Sequence, residues 1–125
     1  MVRRISVAVL TAALLLAVAA TPAAAAPMVV STWKAIDTDG SNLSLVVYSD
    51  GWTYSLDDDA SICGGGMAKV YGPGTLDLLQ NLTSADWVVS CASGPLLGPF
   101  HVTFVTTTPP RAMFDSLGVI WRRTS

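Results

Sequence analysis

Two cysteines, one histidine and nine acidic residues, every one of them an aspartate, are the side chains from which a catalytic or metal site in this chain would have to be built. Cys63 and Cys91 lack the Cys-x-x-Cys spacing of a redox pair, and neither has a neighbouring cation that would depress a thiol pKa. In an exported chain they form a disulfide, whose chain-entropy contribution for a loop of this length is roughly 3 to 4 kcal/mol. His101 stands alone, so neither a nucleophile triad nor a multi-histidine metal site can be assembled around it. No Gly-x-Ser-x-Gly elbow occurs, and a paired-carboxylate site would draw on aspartates that mostly fall in predicted turns. Gly64-Gly65-Gly66 has no Gly-Lys-Ser/Thr and no following helix, which excludes a phosphate loop. The expectation is a protein that is not an enzyme, with no catalytic residue, no metal ligand and no cofactor.

Two acidic runs invite a calcium reading. Asp37-Thr38-Asp39-Gly40-Ser41-Asn42 supplies several oxygen ligands, but its glycine is misplaced for an EF-hand loop and the closing glutamate is missing. Asx-type turn chemistry between two strands accounts for it instead. Asp57-Asp58-Asp59 reads as a solvated loop whose like charges keep a strand edge from pairing with another chain.

The aromatic residues are the richer set: four Trp, three Tyr and three Phe, all beyond residue 30. In a small barrel such rings either fill the interior or, if one end is open, line it. In the second case Trp52, Tyr54 and Trp87 form an apolar cup with few polar groups, the usual make-up of a small-ligand site. Alternation puts Phe100, Val102 and Phe104 toward the core, and His101 with Thr103 on the opposite face.

The elements that would hold these residues follow a leader. Arg3 and Arg4 precede an unbroken apolar stretch from Ile5 to Ala20, then Thr21-Pro22 and a run of alanines before Pro27. Charged start, apolar middle and small-residue exit make a secretory signal peptide over residues 1–25, with the cut between Ala25 and Ala26. The apolar stretch is shorter than the roughly 18 to 20 residues that cross a bilayer. A secreted, soluble, monomeric chain of one domain, residues 26–125, is expected. Removing the leader leaves five basic residues against nine acids, which argues against nucleic acid and anionic membrane surfaces as partners.

Beyond Pro27 the apolar residues alternate. Leu43, Leu45 and Val47 share one face, and after Asp50-Gly51 the pattern resumes as Trp52, Tyr54 and Leu56 against Thr53 and Ser55. Asp-Gly between alternating runs predicts a hairpin with a type I′ turn, which needs φ > 0 at both central residues. Further strands are predicted over Val29–Ile36, Met67–Tyr71, Thr75–Leu79, Trp87–Cys91, Phe100–Thr107, Arg111–Asp115 and Val119–Arg123. Gly72-Pro73-Gly74, Gly94-Pro95, Gly98-Pro99 and Pro109-Pro110 read as breakers, and Asn81–Asp86 could hold one helical turn. Eight or nine strands of about six residues leave no room for crossover helices. The fold class is therefore all-β and antiparallel. An up-and-down barrel of about eight strands and a two-layer sandwich both solve the edge problem, and the sequential hairpins favour the barrel.

Ser31-Thr32-Trp33 in the first strand, with Trp121-Arg122-Arg123 in the last, resembles the calycin pattern of lipocalins and avidins. In those families an early tryptophan, usually in a Gly-x-Trp context, is covered by a basic side chain from near the barrel's end. Trp33 matches the tryptophan, Arg123 or Arg122 the cation, and Ser31 replaces the glycine. The chain is also similar to the compact lipocalin-like inhibitors that some bacteria secrete against metalloproteases, which carry one disulfide. The resemblance implies a binding role, with a small apolar molecule as ligand, or alternatively an interaction with a secreted protein, as in protease inhibition.

Overall fold

The structure, a computed structural model, describes residues 26–125, so the expected leader lies outside the described residues. Eight strands run antiparallel in chain order and close into one barrel. They are β1 (Val29–Ile36), β2 (Asn42–Tyr48), β3 (Trp52–Asp57), β4 (Ala68–Leu76), β5 (Leu82–Cys91), β6 (Leu96–Thr106), β7 (Ala112–Asp115) and β8 (Ile120–Arg123), with a single 3-10 turn at Ser61–Cys63. The barrel, not the sandwich, is the solution to the edge problem. Its meander sets the β1–β2, β3–β4, β5–β6 and β7–β8 connections at one end and the other three at the opposite end.

Two predicted breakers turn out to lie within strands. β4 runs straight through Gly72-Pro73-Gly74, merging the two strands expected on either side. The missing side chain at Gly72 permits this, because a Cβ there would overlap the Asp86 carbonyl oxygen of β5. β6 likewise includes Gly98-Pro99, accommodated where the register with β5 shifts between Trp87 and Val89. Proline lacks a donor for the ladder, and such irregular positions are where a sheet tolerates it. β5 begins at Leu82 and absorbs the segment considered for a helical turn.

The β2–β3 hairpin holds the most consequential difference. Gly51 N–H donates to Tyr48 O at 2.9 Å, and Gly51 has φ of 89°, whereas Asp50 is not in the left-handed region. This is a three-residue loop with glycine at the left-handed position, not a two-residue type I′ turn. The two loops differ by one residue of register, and one residue of register exchanges the faces of a strand. A two-residue turn would set Val47 opposite Tyr54, but the observed partner of Val47 is Thr53. Directly opposed residues share a face, so β3 turns Thr53, Ser55 and Asp57 into the barrel and Trp52, Tyr54 and Leu56 outward.

Inside, Trp33, Trp121, Leu45, Met113, Val47 and Val102 are among the most deeply buried side chains. Trp87 meets Phe104 edge-on at 5.5 Å and Trp121 at 6.3 Å between ring centroids. Each buried indole N–H is used: Trp33 donates to Ser31 Oγ at 2.9 Å, Trp87 to Thr53 Oγ1 at 2.8 Å, and Trp121 to Asp115 Oδ2 at 2.9 Å. Thr53 passes its own proton to Gly72 O at 2.7 Å. Polar residues at inward positions of β1, β3 and β7 are what allow three tryptophans to be buried with their N–H groups paired.

The seam between β1 and β8 is short, with Trp33 opposite Arg123 and Lys34 opposite Arg122. Thr124 N–H extends it by donating to Thr32 O at 2.8 Å. Of the two arginines that could cover Trp33, the structure selects Arg123, whose guanidinium lies 5.7 Å from the ring centroid.

Candidate functional site

The end of the barrel that carries the β3–β4 and β7–β8 connections holds a cavity of about 290 Å³. Trp87, Val89, Val102, Val119, Trp121, Leu43 and Val70 supply apolar wall, and Ser55, Asp57 and Asp115 are its inward polar residues. Trp33, Leu45, Val47, Leu82, Phe104 and Met113 are buried without lining it, so they fill the remainder of the tube. The interior is therefore part plug and part cup. A wider depression of about 710 Å³ lies outside the barrel, around Lys34, Ile36, Leu56, Asp58, Met67, Ile120 and Arg122.

The rim is shaped by local hydrogen bonds. Asp39 Oδ1 accepts from Ser41 N–H at 2.9 Å and Ser41 Oγ at 2.7 Å, an Asx-type turn of the expected kind, and these bonds hold its carboxyl down at about 2. Ser61 N–H reaches Asp39 Oδ2 at 3.3 Å and ties the β1–β2 loop to the 3-10 turn. Asp58 accepts from the Asn42 side chain at 2.9 Å and its N–H at 2.7 Å, which lowers its carboxyl as well. Asp59 accepts from Gly66 N–H at 2.9 Å, closing the glycine-rich segment into a bend. The Cys63–Cys91 disulfide, with Cα atoms 5.6 Å apart, pins that bend to the end of β5. Ala60, Ala68, Val89 and Cys91 form a small apolar cluster beneath it.

The Asp57-Asp58-Asp59 run is thus not one solvated loop. Asp57 is 6 % exposed and points into the barrel. Its Oδ1 accepts from Asp59 N–H at 3.1 Å. Burial pushes its carboxyl up, opposed by hydrogen bonding from Ser41 and Asp59 and helped by the negative charges of Asp37 and Asp39. Asp115 is satisfied from three sides: Oδ1 accepts from the N–H groups of Leu117 and Val119, both at 2.9 Å, and Oδ2 from Trp121.

Of the three aromatic residues expected to line a cup, Trp87 does. Trp52 and Tyr54 do not: the three-residue hairpin loop puts both on the outer face, where Trp52 is 41 % exposed and sits 6.2 Å from Tyr71. Phe100, expected in the core, lies at the cup's mouth and is 39 % exposed, while Val102 and Phe104 are buried. His101 faces outward, and its Nδ1 is 2.8 Å from Asp86 Oδ1 in an exposed pair of the kind worth at most about 1 kcal/mol. Sequence reasoning missed Ser55, Asp57, Asp115 and Trp121 as lining residues. The signal for the first two was their shared parity with Thr53, hidden by the wrong choice of turn. Among the described residues no group of three or more His, Cys or Asp side chains is placed to hold a metal ion.

Comparison of the chain with protein-family models, with curated proteins and with solved structures found no match.

Proposed function

We propose that this chain is an exported, calycin-like binding barrel that holds a small, largely apolar molecule in the cup at its open end. It would act by non-covalent burial, with no bond made or broken. The observation that carries this reading is the cavity itself, walled by Trp87 and Trp121 and closed below by packed side chains. Its volume lies at the lower limit of ligand sites, which run from roughly 300 to 1,000 Å³. The contact of Arg123 with Trp33 supports the calycin reading, and the leader together with the disulfide supports secretion.

The test is native mass spectrometry of the mature protein from its host's culture medium, before and after organic extraction. Extra mass that extraction removes is the expected result. A bare chain, together with a cup that takes up no apolar dye, would overturn the reading.

One observation favours a second role, contact with another protein. Leu78 and Leu79 stand almost wholly in solvent at the β4–β5 turn, which is made rigid by Asp77 Oδ1 accepting from Leu79 and Asn81 N–H, both at 2.9 Å. The N-terminal segment suits that role less, because Met28 is held by Ser49 through N–H to Oγ at 2.9 Å and through its own carbonyl at 2.7 Å. Substituting both leucines by serine and comparing recovery of a co-secreted partner would separate the two readings.

A further inference from the structure

We infer that the ligand is a small organic cation, a protonated amine on an apolar body, with Asp57 as its counter-charge and Ser55 as its second acceptor. The inference rests on the reading of the cup as a binding site and specifies its chemistry.

Ser55 Oγ is the first observation. Ser55 is 2 % exposed and lines the cavity, yet its hydroxyl makes no hydrogen bond with a described residue. Facing the cavity without a protein partner, this hydroxyl is free to bond with something that enters the cup. Asp57 is the second. It sits two residues further along the same inward face of β3, with Asp59 N–H on Oδ1 and no cation against it among the described residues. Ser41 lies near it, but the Ser41 hydroxyl proton goes to Asp39 at 2.7 Å. A buried carboxylate needs a counter-charge, and no Lys, Arg or His lines the cavity. The other groups around Asp57 make the need larger: Asp37 and Asp39 from the β1–β2 loop push in the same direction, and Asp115 is in the opposite wall.

The rest of the wall fits an organic cation better than a metal ion. Asp115 has both oxygens occupied by N–H donors and cannot turn to ligate. Besides Asp37 and Ser61, the lining is mostly apolar and includes Trp87 and Trp121, residues whose indole faces attract an ammonium group within about 6 Å. An ammonium with several N–H donors could serve Asp57 and Ser55 together while its carbon body displaces water from the valines.

The experiment is calorimetric titration of the disulfide-intact protein with 2-phenylethylamine and with 2-phenylethanol, near-isosteric probes that differ in charge. The amine is expected to bind at least tenfold more tightly at pH 7. Asp57→Asn is expected to abolish the preference, so that amine and alcohol bind that variant equally, and Ser55→Ala to weaken the amine severalfold. Equal affinities in the unaltered protein, or an amine preference that survives Asp57→Asn, would overturn the inference and leave the cup as a site for neutral molecules. Binding of neither probe would remove the binding-site reading with it. Should Asp57→Asn fail to fold, the unaltered protein carries the test. Its amine-to-alcohol ratio should fall toward one between pH 7 and pH 4 as Asp57 takes up a proton, and a constant ratio would overturn the inference.

Discussion

The two ends of the barrel treat buried polar groups in opposite ways. At the closed end Thr53 is spent on the Trp87 indole and Gly72 O, and Thr106 Oγ1 is sealed in with no partner among the described residues. At the open end the Ser55 hydroxyl also has no protein partner, but it and Asp57 face a cavity. An orphan hydroxyl in packed surroundings is a plain loss of stability, whereas one that faces a cavity can be met by whatever fills it. The ends also differ in what holds them. Below the cup the chain relies on packed rings, and around the cup on a disulfide.

The sharpest way to break this contrast is Trp33→Ala. Removing a fully packed indole should cost about 3 to 5 kcal/mol in urea unfolding, with cup affinity preserved in the folded fraction. A loss of affinity without a loss of stability would show that the ends are not separate. Replacing Cys63 and Cys91 together by alanine should cost roughly 3 to 4 kcal/mol. Unlike Trp33→Ala it should also expose the 58–67 segment to proteolysis, because the staple substitutes there for core. Asp115→Asn should cost about 1 to 3 kcal/mol, since an amide cannot accept from Trp121 and from two backbone donors with equal strength. Thr106→Val reverses the sign: removing a sealed orphan should leave stability unchanged or raise it by about 1 kcal/mol.

The smallest effect concerns acid. Asp39 and Asp58 are exposed carboxylates with lowered pKa values, so their contribution is present above the ordinary carboxylate value and is lost as pH falls through their folded ones, about 2 for Asp39. Asp57 has the opposite sign, its raised pKa making its ionised form a cost that acid relieves. Amide protection, corrected for the intrinsic exchange rate at each pH, should therefore fall first in the β1–β2 and β3–β4 loops between pH 6 and pH 3. A uniform loss of protection around the barrel would contradict this assignment.

Much of the architecture was legible before any coordinates. The Val29–Ile36 strand, the inward set Leu43, Leu45 and Val47 and a meander of about eight strands follow from alternation and turn residues, while the covered Trp33 follows from the calycin resemblance. Glycine and proline were harder to read, because Gly72 and Pro99 act through backbone approach and register shift between strands, which local composition does not carry. The cup's polar wall was illegible for a related reason. Thr53, Ser55 and Asp57 alternate as regularly as Trp52, Tyr54 and Leu56, and hydrophobicity argues for the second set. The preference was overruled by tertiary demand: the indole of Trp87 needs the hydroxyl of Thr53, and the loop at Ser49-Asp50-Gly51 delivers it.

That loop also bears on how such a protein could change over generations. Point substitutions adjust the cup one contact at a time, but loss of a single codon among positions 49–51 would press β3 toward the opposite parity, setting its ring-bearing face against a wall now built from hydroxyl and carboxylate. Descendants of this barrel with a shorter β2–β3 hairpin should thus diverge abruptly in ligand polarity while keeping the same eight strands.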